Sequence, residues 1–166
     1  MVPADGMRRR THTPQETEEF AGRLAGARPQ PRAGLAVLYL RGELGAGKTT
    51  FVRGFAHELG VAGPVRSPTY TLLELYPAGA LTLVHLDLYR IEAPPELESL
   101  GLREWARAGC LWLIEWPERG AGRLPAADLE IRFASGPSAH DIDVRPASAL
   151  GASWLVELSG RAAREG

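Results

Sequence analysis

The sequence has only one cysteine and one lysine in 166 residues, and it has no long hydrophobic run. The lone Cys110 cannot form a disulfide within the chain and is typical of a reducing cytoplasm. No apolar run approaches the length that crosses a bilayer, and no secretory hydrophobic region follows the N-terminus. One cysteine and 4 histidines show no metal-ligand spacing, so we expect no zinc site. These absences favour a cytoplasmic protein without a membrane anchor or a disulfide framework.

The chain also lacks an excess of charge. Its formal net charge is −1, which excludes the broad basic surface of an autonomous nucleic-acid binder. A hydrophobic content of 45% and a charged content of 23% indicate a globular protein. The length predicts a single domain over residues 1–166 with a sizeable core. Residues 1–10 are expected to be disordered or to precede the true start, since Met7 is an alternative to Met1.

The only lysine lies in a glycine-rich motif. Residues 42–50 read GELGAGKTT, which matches the phosphate-binding pattern G-x-x-x-x-G-K-[ST]. Glycines let successive backbone N–H groups turn towards phosphate oxygens. Lys48 would then contact the β- and γ-phosphates, and the hydroxyl of Thr49 would be a ligand for Mg²⁺. The predicted nucleotide-binding residues are Gly45, Ala46, Gly47, Lys48, Thr49 and Thr50.

The distribution of positive charge supports this interpretation. Of the 19 lysine and arginine residues, 18 are arginine, so arginine is used wherever a charge merely needs solvation. A compact ammonium fits among phosphates better than a planar guanidinium does. Lys48 is therefore the position at which we expect lysine itself to be required.

The flanking sequence places the motif between a strand and a helix. Residues 35–40 form a continuous apolar run, as expected for a strand buried on both faces. Residues 50–59 repeat aromatic and aliphatic side chains at helical spacing, and Gly60 would end that helix. The order strand, loop, helix would direct a helix N-terminus at a phosphate group.

The rest of the chain contains both helical and strand patterns. Thr13 opens a helix over residues 14–27 through a capping box with Glu16, and a loop follows over residues 29–34. The further predicted elements are a turn at 63–64, a hairpin of strands within 67–76 and 81–89 around a turn at 77–80, short helices at 94–98 and 102–107, a buried strand at 111–115, alternating strands at 128–133 and 141–145, and a helix at 150–158. We expect an α/β single-domain P-loop NTPase with a largely parallel central sheet flanked by helices, plus antiparallel strands.

Two acids follow predicted strands. Glu115 ends an uninterrupted apolar run, so it should emerge beside the phosphate loop, where Mg²⁺ needs a carboxylate. Asp87 ends a less uniform run that contains His85, which we interpret as a packed histidine. Either acid could hold the metal or orient the attacking water. A further segment, residues 67–71 (SPTYT), carries four hydroxyl groups after a Gly-Pro turn and could sense a γ-phosphate or simply be a solvated strand edge.

Five stretches together resemble one family. Their sequences are GELGAGKTT at 42–50, SPTYTL at 67–72, HLDLYR at 85–90, PELE at 95–98 and IEWP at 114–117. In this order and spacing they are similar to the TsaE (YjeE) family of bacterial ATPases, which act in threonylcarbamoyladenosine formation in tRNA. The resemblance runs from about Thr13 to Phe133.

The resemblance implies a function and roles for individual residues. It implies an ATP- and Mg²⁺-binding protein that hydrolyses ATP slowly and works with the TsaB–TsaD complex, contacting tRNA only through that complex. Lys48, Asp87 and Glu115 would be the catalytic residues, and Thr49 and Glu115 the metal ligands. Residues 67–71 would be the switch-like segment. The Arg- and Gly-rich stretch 118–123 has no role that the resemblance assigns.

Two other classes share the same loop. A small-molecule kinase of the shikimate or gluconate type would need clustered arginines in an acceptor pocket, for which Arg119 and Arg123 are the nearby pair. A nucleotide-dependent regulatory switch would need no useful hydrolysis. Incubation with ATP and candidate acceptors separates the kinase from the other two.

Overall fold

The computed structural model describes residues 6–29 and 34–166. Its strands are β1 (Met7–Thr11), β2 (Ala36–Arg41), β3 (Leu73–Ala78), β4 (Leu81–Asp87), β5 (Cys110–Glu115), β6 (Leu129–Ser135) and β7 (His140–Pro146). Its α-helices are α1 (Pro14–Gly26), α2 (Lys48–Glu58) and α3 (Ala149–Glu165). Short 3₁₀ helices cover Pro94–Leu100, Leu102–Trp105 and Pro117–Gly120.

The strands form one seven-stranded sheet in the order β1-β7-β6-β2-β5-β4-β3. Its centre, β6-β2-β5-β4, is parallel. The edges are antiparallel, with β3 beside β4 on one side and β7 and β1 on the other. The predicted fold class is confirmed, and so is the hairpin of β3 and β4. Parallel pairing brings the carboxyl ends of β2, β4 and β5 to one edge of the sheet, which is where polar side chains can form a site.

The two faces of the sheet are covered differently. All three α-helices pack on one face, where Phe51, Phe55 and Trp154 are fully or almost fully buried. The opposite face packs against the segment that contains Ile91, Leu97 and Leu102, which is built from 3₁₀ turns. The short helices expected over 94–98 and 102–107 are 3₁₀ rather than α-helical. Gly101, in a left-handed conformation, ends the first and precedes the second.

The expectation that residues 1–10 are disordered is wrong for residues 7–10, because Met7–Thr11 forms β1 and pairs with β7. The alternative that the true start is Met7 stays a prediction. An exposed ion pair joins Arg10 to Asp141 at 2.8 Å across this pairing. Residues 1–5 lie outside the described residues, and so does most of the loop expected at 29–34.

Several element bounds also differ from the expectation. β4 ends at Asp87 instead of residue 89, and α2 begins at Lys48 instead of residue 50. The C-terminal helix is confirmed, but it continues to Glu165. The sequence pattern did not predict this extension because the last turns of the helix are exposed and carry no apolar repeat. In the described part of the chain, no helix is long and apolar enough to cross a membrane.

Close packing of α1 against α2 depends on a glycine in α2. A Cβ added at Gly54 would lie 2.3 Å from the carbonyl oxygen of Glu18 in α1, and this neighbour is backbone that cannot rotate away. Gly160 in α3 is a matched control, since a Cβ there would meet only the end of the Arg164 side chain at 3.6 Å.

We expect Gly54→Ala to lower the free energy of unfolding by about 1–3 kcal/mol, because α1 and α2 must separate. Gly160→Ala should raise it by up to about 1 kcal/mol, because alanine is the better helix former. Urea unfolding of both variants measures the difference. Equal stability of the two variants would contradict the close contact.

Candidate functional site

The glycine-rich loop connects β2 to α2 at the carboxyl edge of the sheet. Gly47 is the N-cap of α2, and as a glycine it has no side chain to cap the helix. The first turn of α2 also has no acidic residue. The free N–H groups and the positive end of the helix dipole are therefore available to an anion such as a phosphate group.

Two glycines are required here for different reasons. Gly47 has φ of 103°, a left-handed conformation that other residues rarely adopt. At Gly42 a Cβ would lie 2.6 Å from the carbonyl oxygen of Phe133, so the loop can approach the end of β6 only without a side chain. Sequence analysis predicted glycines in this loop, but the contact with β6 is long-range and became visible only in the fold.

Lys48 is buried at the start of α2, with 4% of its surface exposed. Its Nζ donates to the carbonyl oxygens of Gly42 and Glu43, the latter at 2.8 Å, and lies 4.6 Å from the centre of the Trp116 ring. Burial lowers the pKa of the Lys48 ammonium, and the carboxylates of Glu115 and other nearby acids oppose that change. The ammonium is thus held over the loop by contacts that phosphate oxygens could replace.

The two predicted acids meet at the ends of neighbouring strands. Asp87 and Glu115 are paired in the register of β4 and β5, and both are buried. The hydroxyl of Thr49 donates to Glu115 Oε1 at 3.2 Å. Glu115 Oε2 lies 2.7 Å from Nε2 of His85, a contact that the sequence analysis missed when it interpreted this histidine only as packed. The residues next to His85 in the sequence are apolar, so nothing in the local sequence indicated its contact with Glu115.

Asp87 is engaged by a different set of groups. One oxygen accepts a hydrogen bond from the hydroxyl of Ser67, and the other accepts one from the backbone N–H of Tyr89 at 3.0 Å. Asp87 therefore ties the segment 67–71 to the sheet edge. Of the hydroxyl groups in that segment, those of Ser67 and Thr69 line the cleft described next, while Tyr70 and Thr71 are exposed.

A cleft of about 370 Å³ lies between these groups. It is lined by residues of the loop, of α2, of the segment 67–71 and of the ends of β4 and β5, namely Leu44, Gly45, Gly47, Lys48, Thr49, Thr50, Ser67, Thr69, Asp87, Tyr89, Arg90, Glu115 and Trp116. Arg90 is exposed at its rim, with its guanidinium 4.6 Å from the centre of the Tyr70 ring. Of the residues predicted to bind nucleotide, only Ala46 does not line the cleft.

Trp116 is a site residue that the sequence analysis did not single out. It follows Glu115 with φ of 59°, a left-handed conformation that is uncommon for a bulky residue. This turn lays its ring against Lys48 and against Tyr89, whose ring centre is 5.1 Å away. The only signal in the sequence was the Trp-Pro pair at the end of a buried strand.

The stretch 118–123 has a structural role. Arg123 forms an ion pair with Glu98, and a Cβ at Gly120 would lie within 3.0 Å of the Leu97 and Leu88 side chains. The stretch therefore holds the 3₁₀ segment at residues 94–100 against the sheet. Neither Arg119 nor Arg123 is among the residues that line the cleft, so the pair considered for a kinase acceptor pocket is not placed there.

Thr49 and Glu115 are the residues of this cleft that could hold a magnesium ion. Within residues 6–29 and 34–166 there is no group of three or more His, Cys, Asp or Glu side chains that could hold a metal ion. Mg²⁺ bound with a nucleotide usually has one or two protein ligands and takes the others from phosphates and water. Thr49 Oγ1 and Glu115 Oε1 are 3.2 Å apart, close to the ~3 Å between adjacent ligands of an octahedral Mg²⁺ ion. These two residues fit such an ion.

The strand, the glycine-rich loop, the helix and the buried lysine define a P-loop nucleotide-binding protein of the α/β class. A family described as "Threonylcarbamoyl adenosine biosynthesis protein TsaE" matches residues 11–142. The chain belongs to the TsaE family, as the resemblance of the five stretches predicted.

Individual relatives agree with this assignment. The chain is 43% identical over 123 residues to the tRNA threonylcarbamoyladenosine biosynthesis protein TsaE of Haemophilus influenzae, covering 74% of this chain and 78% of that protein. The protein of the same name from Bacillus subtilis is 43% identical over 122 residues, covering 74% and 73%. The crystal structure of YdiB from Bacillus subtilis superposes with a TM-score of 0.76 at 32% identity, covering 98% of each chain.

Proposed function

We propose that this protein is a Mg²⁺-dependent ATP-binding and ATP-hydrolysing accessory protein for threonylcarbamoyladenosine modification of tRNA, acting with TsaB and TsaD. The observation that carries the proposal is the convergence of Lys48, Thr49 and Glu115 on one cleft at an uncapped helix N-terminus. Family membership supports the pathway. ATP, Mg²⁺, the partners and a cytoplasmic location are parts of the proposal.

Each residue of the site has a role in this proposal. The N–H groups of the loop and of α2 bind the phosphates, and Lys48 leaves its carbonyl contacts to neutralise the β- and γ-phosphates. Thr49 and Glu115 hold Mg²⁺, which when bound offsets the charge that develops on the phosphate oxygens. Asp87 orients the segment of Ser67 and Thr69 over the cleft, where their hydroxyls can contact the terminal phosphate.

Hydrolysis by the isolated protein should be slow. Fast P-loop hydrolases add a well-placed arginine that stabilises the transition state. In this protein Arg90 is at the rim of the cleft but stacks on Tyr70, and Arg66 is exposed just before the segment 67–71. A partner is the better source of the missing group, and the resemblance to the TsaE family points to TsaB–TsaD. The small net charge of −1 agrees with contact to tRNA only through that complex.

We therefore expect phosphate release at saturating ATP to be slow for the protein alone and clearly faster when TsaB–TsaD is added. An in-trans arginine is typically worth about 10³–10⁵ in rate, which sets the upper range of the stimulation. Stimulation should disappear in variants of Lys48 and Glu115. Rapid turnover by the protein alone, unchanged on mixing, would contradict the partner dependence. Loss of ATP without release of phosphate, in the presence of a hydroxylated acceptor, would indicate a kinase instead.

A further inference from the structure

His85 is a polar residue at a position that the fold otherwise fills with apolar side chains. It lies on β4 between Leu83 and Asp87 on the same face of the sheet, and its partner in the parallel register with β5 is Leu113. His85, Leu83 and Leu113 are all fully buried. Burial of an imidazole costs free energy unless a hydrogen bond compensates it, and a leucine at this position would carry no such cost.

The one hydrogen bond of His85 in the described part of the chain indicates which of its ring nitrogens carries a proton. Nε2 lies 2.7 Å from Oε2 of Glu115, and a carboxylate oxygen accepts, so Nε2 is the donor. Nδ1 is buried and has no hydrogen-bond partner among residues 6–29 and 34–166. An imidazole with a proton on Nε2 satisfies this contact. The single polar contact of His85 within that part of the chain is therefore to Glu115.

The two carboxylate oxygens of Glu115 have different partners. His85 holds Oε2, while Oε1 is the oxygen nearer to the hydroxyl of Thr49. Without His85, the carboxylate could rotate about its last bond and both oxygens would be equivalent. With Oε2 held from inside the sheet, Oε1 is directed at the start of α2.

We propose that His85 is a positioning residue for the metal site: its Nε2–H holds one oxygen of Glu115 so that the other binds Mg²⁺ beside Thr49. The inference rests on the proposed function, because it requires that Glu115 be a metal ligand. Partners of this kind behind a ligand typically contribute about 10- to 100-fold to metal affinity. His85 itself is fully buried and is not among the residues that line the cleft.

The test compares His85→Leu with His85→Gln. Leucine matches the neighbouring side chains and removes the donor, whereas glutamine carries an amide N–H near the position of Nε2. Calorimetric titration of Mn²⁺ into the protein–ADP complex should show affinity roughly 10- to 100-fold lower for His85→Leu and largely restored in His85→Gln. Binding of ADP in EDTA should be unchanged in both variants.

The Mn²⁺ affinity, rather than the stability, distinguishes positioning from packing, because loss of the donor also leaves a buried oxygen of Glu115 unpaired. If His85→Leu lowers the thermal midpoint but leaves Mn²⁺ affinity unchanged, His85 only fills the core and the inference is wrong. The double variant His85→Leu with Glu115→Gln should bind Mn²⁺ no more weakly than Glu115→Gln alone, because the two residues act as one unit. Additive losses would contradict action through Glu115.

Glu115→Gln distinguishes a failure of the metal role of Glu115 from a failure of the positioning role of His85. If it leaves Mn²⁺ affinity unchanged, the metal role of Glu115 in the proposed function fails. If it weakens Mn²⁺ binding while His85→Leu does not, only the role of His85 fails. Should His85→Leu not fold, ¹⁵N NMR of the original protein still decides: a proton on Nε2 of His85 whose signal shifts in Glu115→Gln supports the inference, and a proton on Nδ1 overturns it.

Discussion

Lys48→Ala is expected to abolish measurable ATP hydrolysis and to weaken nucleotide binding. The substitution removes the only lysine of the chain and leaves the loop and the α2 N-terminus without a charge directed at the phosphates. Loss of one such electrostatic group typically costs about 10²–10³ in turnover. Phosphate release and calorimetric ADP binding measure the two effects.

Lys48→Arg should be nearly as inactive as Lys48→Ala. The ammonium lies between the carbonyls of Gly42 and Glu43 and the ring of Trp116, and the wider planar guanidinium does not match this space. A matched control is Arg53→Lys, which exchanges the same two residue types further along α2, where Arg53 forms a partly exposed ion pair with Glu18. The control should retain activity. Full activity of Lys48→Arg would show that the site needs only a positive charge.

The phosphate loop and the acid opposite it could be predicted because their signals are local. The apolar runs of β2 and β5 identified strands buried on both faces, and the carboxylate at the end of β5 followed directly from its position. Parallel strands then required Glu115 to emerge near the loop, and the structure places it beside Thr49.

The missed features depend on contacts between distant residues. β1 consists of Met-Arg-Arg-Arg-Thr, which has no apolar alternation, and its strand conformation comes from pairing with β7 more than 120 residues later. The contact of His85 with Glu115 likewise joins two strands. The left-handed turn at Trp116 is held by packing of its ring on Lys48 and Tyr89 rather than by its own preference.

The two acids of the site, Asp87 and Glu115, have different hydrogen-bond partners. Glu115 faces Thr49, whereas both oxygens of Asp87 accept hydrogen bonds from Ser67 and from the backbone of Tyr89. In the proposed function, Glu115 therefore holds the metal, and Asp87 holds the segment that would contact the γ-phosphate. This division gives the two acids different expected phenotypes.

Glu115→Ala is expected to raise the Mg²⁺ concentration required for half-maximal hydrolysis and to lower turnover strongly, while nucleotide binding in EDTA survives. The reason is that only the metal-dependent step loses a ligand. Asp87→Ala should instead reduce turnover with an unchanged Mg²⁺ requirement.

Because Glu115→Ala leaves His85 without its acceptor, Glu115→Gln is measured beside it to separate loss of charge from loss of the hydrogen bond. Glu118→Ala is the control: this exposed carboxylate pairs with Arg41, and its loss should change neither quantity. A Mg²⁺ titration of hydrolysis in all four variants gives the comparison, and the ranking is wrong if Asp87→Ala alone changes the Mg²⁺ requirement.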